Sequence, residues 1–293
     1  MIVINMVVIN MIVNNIYKNI NIIYVFILLF ILGLFIFINN FGFGFGIINQ
    51  NKIIESYNNQ IIFYKKQNLY DLLKKDEDHY FKSFSTTDLK VRKINEINDY
   101  YKILEESLCD PDEKTINQVK DYILEIKKRI NYYMKNNSLY EYEYVNLKKL
   151  NEIPWKIGFV CNQNYENGLP HTRGNIIIIN KNRLMLNGNM KNMKTLIHEQ
   201  IHIYQKMYTL DVEYYLKNKN FTKIKKKTKY DNIRANPDLD HYIYKDSENN
   251  VYKAVYNINP SSIEDIVYYP QNKQFYEHPN ERMAIEFETI LDK

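Results

Sequence analysis

Cysteine is nearly absent from this chain: two residues in 293, Cys109 and Cys161. They stand far apart and form no C-x-x-C pair, so a structural thiolate zinc site has no support. Spacing alone leaves open whether they pair with each other. Histidine is scarce as well, with six residues. A strong excess of one charge is also missing, since 39 Lys and Arg face 34 Asp and Glu. Seven lysines crowd between Lys217 and Lys229, which reads first as a solvated loop or helix face. No repeating aromatic–basic pattern accompanies them, so nucleic acid is not an expected partner.

The N-terminus holds a long apolar run. Ile22 to Ile38 is a 17-residue stretch broken only by Tyr24 and Gly33. As a helix it would extend about 25 Å, a little short of the ~30 Å hydrocarbon core of a bilayer. No small-residue cleavage site of A-x-A type follows, which favours an uncleaved anchor over a removed signal peptide. The expectation is a transmembrane helix over about 20–38, hence a single-pass membrane protein with the lipid bilayer as a partner. Lys18 and Lys52 flank the run on either side and fix no orientation. FGFGFG at 41–46 reads as a joint.

Three regions are expected: 1–46 with the anchor, a helical region over 47–150, and a catalytic region over 151–293. In the second, Asp110-Pro111-Asp112-Glu113 predicts a helix start, with Asp110 as cap and Pro111 in the first turn. Ile116, Val119, Ile123, Ile126 and Ile130 then form a core-facing stripe. In the third, Gly and Pro punctuate two runs that read as strands, Trp155–Val160 and Asn175–Ile179.

TLIHEQIHIYQK, residues 195–206, carries the chemistry. Ile197, Ile201, Tyr204 and Tyr208 recur at helical spacing, and Leu196, Ile203 and Met207 widen the stripe. On such a helix His198 and His202, at i and i+4, share one face. This H-E-x-x-H order suits a catalytic zinc, which takes three protein ligands and keeps one position for water. Glu199 then sits beside the metal as general base. The third ligand is expected from YEHPNERMAIEFETILDK. Pro279 suits a first helical turn, Met283, Phe287 and Ile290 give an apolar stripe, and Ala284 would allow close approach to the motif helix. Glu281 is the first choice, with Glu277 and His278 as alternatives.

Taken together, GLPHTRGNIIII, TLIHEQIHIYQK, RANPDLDHYIY and EHPNERMAIEFE resemble the gluzincin type of HExxH zinc metallopeptidases, and more narrowly uncharacterised zinc peptidases of large DNA viruses. The resemblance covers roughly residues 84–290, in patches. It implies an α+β, mostly helical fold. The zincin-like catalytic region would have a short sheet and an HExxH helix, preceded by the transmembrane helix and the helical region. It also implies that the 175–179 strand borders the cleft with a free edge for an extended peptide. His171 and Arg173 stand at its entrance. His171, His241, Tyr242 and Tyr244, with Tyr268 and Tyr269, are candidates for substrate or oxyanion contact. Among 27 Tyr the sequence cannot choose.

The expected function is thus zinc-dependent hydrolysis of a peptide or protein substrate by a membrane-anchored enzyme with one catalytic Zn2+. The alternative is a non-catalytic viral membrane protein that keeps a zincin scaffold for binding. A protease acting on DNA-bound proteins is a third reading, disfavoured by the hydrophobic N-terminus.

Overall fold

The computed structural model describes residues 61–136, 144–271 and 276–292, together with the backbone of 53–57. In chain order the elements are β1 (Ile53–Tyr57), β2 (Ile61–Tyr64), α1 (Lys66–Leu73), α2 (Thr86–Val91), α3 (Ile97–Ser107), α4 (Glu113–Lys135), α5 (Leu147–Glu152), β3 (Trp155–Val160), β4 (His171–Arg173), β5 (Ile176–Asn180), α6 (Lys181–Leu186), α7 (Asn189–Met207), α8 (Thr209–Asn218), β6 (Thr222–Lys226), β7 (Tyr242–Lys245), β8 (Val251–Tyr256), β9 (Ile266–Tyr269) and α9 (Pro279–Glu288). One sheet has the order β1-β2-β3-β5-β4, the other β6-β7-β8-β9.

The first sheet is central. Strands β2, β3 and β5 run parallel, with Phe63 opposite Ile157 and Ile157 opposite Ile177. A parallel strand covered on both faces reads as a continuous apolar run, and β5 is such a run. Ile177 and Ile179 enter one core with α4, α7 and α9, while Ile176 and Ile178 enter a second core with α1 and α3. Gly158 on β3 permits the close seating of α1, because a Cβ there would meet Leu69 Cδ2 at 2.4 Å. Cys109 and Cys161 form a disulfide that ties the chain after α3 to the end of β3, beside the bridge Leu108↔Val160.

Several expectations are corrected. Among the described residues no helix is long and apolar enough to cross a membrane. The longest, α4, carries Lys, Arg and Glu along its outward face. Residues 20–38, where the anchor was expected, lie outside the described residues, as does 41–46. The finding overturns the fold class as expected, with a transmembrane helix ahead of the catalytic region, and with it the single-pass membrane location. What the structure has is α+β with two sheets.

The region 47–150 is not all helical, since it supplies β1 and β2. Its Ile-rich segments are short, and β2 finds a parallel partner in β3. That pairing and the shared core join the regions on either side of residue 150, and all the described residues belong to one compact unit, Gln50–Lys293. The α4 cap is Asp112, not Asp110: Asp112 accepts from Thr115 N, whereas Asp110 accepts from Lys66 N. Pro111 therefore stands before the cap. Strand β5 is not an edge. It pairs with β3 on one side and antiparallel with β4 on the other, so the edge belongs to the three residues His171–Arg173.

Candidate metal centre

Helix α7 carries the H-E-x-x-H residues, and its apolar stripe is buried as expected at Leu196, Ile197, Ile201, Ile203 and Tyr204. Met207 departs from the stripe and lies about half exposed, at 51%. Helix α9 starts at Pro279 with His278 as its cap. It packs on α7 through Met283, Ala284 and Phe287, with Ala284 fully buried. The small side chain lets the two helices approach closely, which brings Glu281 over the α7 face.

The ligand atoms of His198, His202 and Glu281 all lie within 4.8 Å of one another. His202 Nε2 is 3.0 Å from His198 Nε2. Glu281 Oε2 is 3.3 Å from His198 Nε2, and its Oε1 is 3.7 Å from His202 Nε2. Both rings are held from behind. His202 Nδ1 is 2.9 Å from Gln205 Oε1, and Gln205 Nε2 donates to the Asn280 carbonyl at 2.9 Å. That second bond fixes the amide, so its oxygen accepts and His202 Nδ1 carries the proton. His198 Nδ1 meets Glu288 Oε1 at 2.6 Å, again an acceptor. Neutral rings held this way carry a bare lone pair on each Nε2. Two lone pairs and a carboxylate then face one point with no donor between them. A cation satisfies such a set, and its donors are those zinc takes in catalytic sites.

The electrostatics agree with a site that wants positive charge. Burial works against charge on His198, but Glu281 and Glu288 outweigh it and hold its pKa well above the ordinary value. Burial keeps His202 below it. Glu281 is half-buried, and His202 and His198 outweigh the cost of that burial and hold it well below the carboxylate range. Without a metal, the charge the cluster demands thus falls on His198.

Glu199 lies beside the ligands, only 4% exposed, and its Oε2 has no hydrogen-bond partner among the described residues. Burial first, then the Asp238 and Glu281 carboxylates, push its pKa well above the ordinary value, against His198 and Lys206. Glu199, His202 and Asp238 also come within metal-binding distance of one another. Asp238, however, spends Oδ1 on Thr172 N and Oγ1, and that grouping leaves one histidine unused.

The alternatives for third ligand are engaged elsewhere. Glu277 pairs with Arg234 and accepts from Asn236 Nδ2. His278 accepts from Asn280 N and bonds Asp240. A cleft of about 350 Å³ opens on the site, bounded by His171, Arg234, Asp238, Ile263 and Tyr268 among others. His241, Tyr242 and Tyr244 are not part of it. His241 and Tyr242 line a second cavity of about 260 Å³, and Tyr244 is buried with its hydroxyl on Asp240. His171 does line the cleft, but burial lowers its pKa and Nδ1 bonds the Leu169 carbonyl. Its Nε2 is then an acceptor, so His171 is no oxyanion donor. Arg173 is drawn into a buried network with Asp76, Asp78, Tyr100 and Tyr165. Tyr268 lines the cleft; Tyr269 does not.

Asp238 and Asn236, which no motif singles out, also belong to the site. Asn236 Nδ2 also reaches Glu281 Oε1 at 3.2 Å. Glu288 had a legible signal, since it falls two turns after Glu281 on the same face. Comparison of the chain with protein-family models, with curated proteins and with solved structures finds no match.

Proposed function

We propose that this protein is a zinc-dependent peptidase whose single metal ion is held by His198, His202 and Glu281, with Glu199 as general base. The observation that carries the reading is the convergence of two imidazole nitrogens, each ring steadied from behind, and a carboxylate, with Glu199 beside them. Bound zinc supplies Lewis acidity, which brings the pKa of a water to about 7 and polarises the scissile carbonyl. Glu199 accepts a proton from the attacking water and hands it to the leaving amine. Its unpartnered Oε2 is the atom free to do so. Tyr268 and Arg234, which line the same cleft, are the donors this reading assigns to the oxyanion.

A binding-only role for the same scaffold has no use for a buried carboxylate without a partner, since such a group costs folding free energy. Elemental analysis of the purified full-length protein tests the proposal. One zinc per chain is expected, lost in a His198→Ala/His202→Ala variant, together with cleavage of unstructured peptides by the wild type. Zinc without cleavage of any peptide would favour the scaffold, and absence of zinc would remove the metal reading.

A further inference from the structure

A sheet edge offers its outward backbone N–H and C=O groups to any extended chain that can pair with them. In an antiparallel pair only alternate residues turn these groups outward. On β4 the outward residue is Thr172, because its N–H and C=O both bond groups outside the sheet. Its N–H donates to Asp238 Oδ1 at 2.6 Å, and its C=O accepts from Lys206 Nζ at 3.3 Å. The neighbours two residues away fare no better. Pro170 has no N–H to give, and Gly174 N donates to Asp78 Oδ2 at 3.0 Å. Every outward N–H along this edge is therefore absent or already held by a carboxylate.

The same two residues pin the segment that borders the cleft. Thr172 Oγ1 donates to Asp238 Oδ1 at 2.7 Å and lies 2.5 Å from Lys206 Nζ, which also donates to the Pro237 carbonyl at 2.8 Å. Asn236, two residues before Asp238, bonds Glu281. One end of the segment thus reaches the proposed third ligand, and the other is fastened to the edge strand. Thr172 is fully buried under it, and Asp238 is 6% exposed.

We infer that Asp238 and Lys206 set the substrate class of the site: they occupy the place of an added strand, so the cleft acts on short peptides held through side chains and chain ends and discriminates against long extended polypeptides. This rests on the peptidase reading. The geometry otherwise stands by itself: an incoming strand gains its backbone bonds to Thr172 only by displacing a carboxylate and an ammonium that already make charge-assisted ones.

Two variants of the full-length protein test it, Thr172→Val and Lys206→Met; neither replaces a proposed ligand or the base, and because Lys206 also acts on the Glu199 charge, the ratio between two substrates is read rather than either rate alone. Valine keeps the shape of threonine and its preference for a strand, but releases the hydroxyl from both partners. Methionine keeps the stem of Lys206 and removes its bonds to Thr172 and Pro237. Amide exchange at Thr172 and kcat/KM for an unfolded polypeptide and for a tetrapeptide are measured. Each variant removes charge-assisted bonds that hold Asp238 and Lys206 against the strand rather than the N–H bond itself, and the loosened latch should speed exchange at position 172 roughly tenfold or more. The long-to-short ratio of kcat/KM should rise by about the same factor, chiefly through KM of the long substrate. Unchanged exchange overturns the latch, and so does faster exchange with no rise in the ratio. Should the wild type cleave neither substrate, the peptidase reading falls. The latch then stands if exchange accelerates in both variants and falls if it does not.

Discussion

His202 and Gln205 stand 2.9 Å apart, Nδ1 to Oε1, and this one bond sets which nitrogen of the imidazole is bare. The amide cannot turn over, because its Nε2 is committed to the Asn280 carbonyl. The Nε2 lone pair of His202 is thereby presented to the site before any ligand arrives.

Gln205→Leu should therefore weaken metal binding without removing a ligand. Outer partners of a metal-bound histidine are typically worth 10–100-fold in affinity, and a loss in that range is expected in competition with a chelator. The variant also strands the buried Asn280 carbonyl, which should cost about 1–3 kcal/mol of stability in denaturant unfolding. Unchanged zinc affinity would show that the tautomer is set by something else.

Glu199→Gln should keep zinc and lose turnover. Glutamine preserves shape but cannot take up a proton, and a general base contributes roughly 10²–10⁴-fold. It also removes a buried carboxyl group whose charge is opposed by burial and by Asp238, so thermal stability should hold or rise. Undiminished turnover in this variant would mean that the base lies elsewhere.

These groups were unequally legible. The α7 residues and Glu281 follow from periodicity and from proline and alanine placement, all of which are local. Asp238 and Asn236 are invisible locally, because what matters about them is the path of the loop between β6 and β7, which bridges β8 at Ile233 and Val255 and then reaches the edge of the other sheet, where Asp238 meets Thr172. Strand β4 is three residues long, too short for any alternation to register. Strand β6 was hidden by its lysines, which suit an exposed edge strand as well as a solvated helix. Residues such as Tyr242 and Tyr268 could not be ranked by sequence, since their difference lies only in which cavity they line.

Arg92→Met should unsettle the wall behind the cleft. Arg92 binds Glu166 with Nε and Nη2, at 2.9 and 2.8 Å, and meets Asp88 at 3.1 Å. Burial raises both acids, yet Arg92 outweighs it and both sit below their ordinary values. A carboxylate lowered in the folded state contributes stability that is present above its unfolded pKa of about 4 and lost as pH falls through the folded value. Removing the guanidinium takes away the largest opposition to burial at Glu166 and leaves only His171 and Tyr80 against it, so its pKa should then rise above the unfolded one. The sign reverses there: stability falls as pH increases through the carboxylate range. At pH 7 the loss should be about 3–5 kcal/mol. Denaturant unfolding at pH 4, 5 and 7 checks both, and a uniform loss at all three would contradict the electrostatic account.

The Cys109→Ser/Cys161→Ser variant should be less stable by about 4 kcal/mol, the chain-entropy value for a loop of this span. The bond fastens α3 to β3, away from the proposed ligands, so zinc stoichiometry should be unchanged in whatever remains folded. Reduction of the wild type should give the same shift. A change in stoichiometry would mean that the β3 end of the sheet positions the site more directly than its contacts indicate.

The third ligand gives the most discriminating series, because three acidic residues near the site hold different places around it. Glu281 faces both imidazoles, Glu288 bonds His198 from behind, and Glu277 is spent on Arg234 and Asn236. Glu281→Ala removes a ligand, so zinc affinity should fall far more than in either of the others. Glu288→Ala removes only the partner of His198 Nδ1, and a 10–100-fold loss is expected. Glu277→Ala should leave affinity nearly intact and cost stability instead, since it strands the half-buried Arg234 charge, an effect of up to about 3 kcal/mol. The proton competition provides a second readout. In the metal-free protein Glu281 and Glu288 hold the proton on His198, so zinc has to displace it, and binding should weaken as pH falls. Either substitution lowers the His198 pKa and should flatten that dependence. Calorimetry at several pH values measures affinity and proton release together. If Glu277→Ala releases the metal while Glu281→Ala retains it, the assignment of the third ligand is wrong and Glu277, freed from Arg234 and Asn236, is the carboxylate that joins the histidine pair.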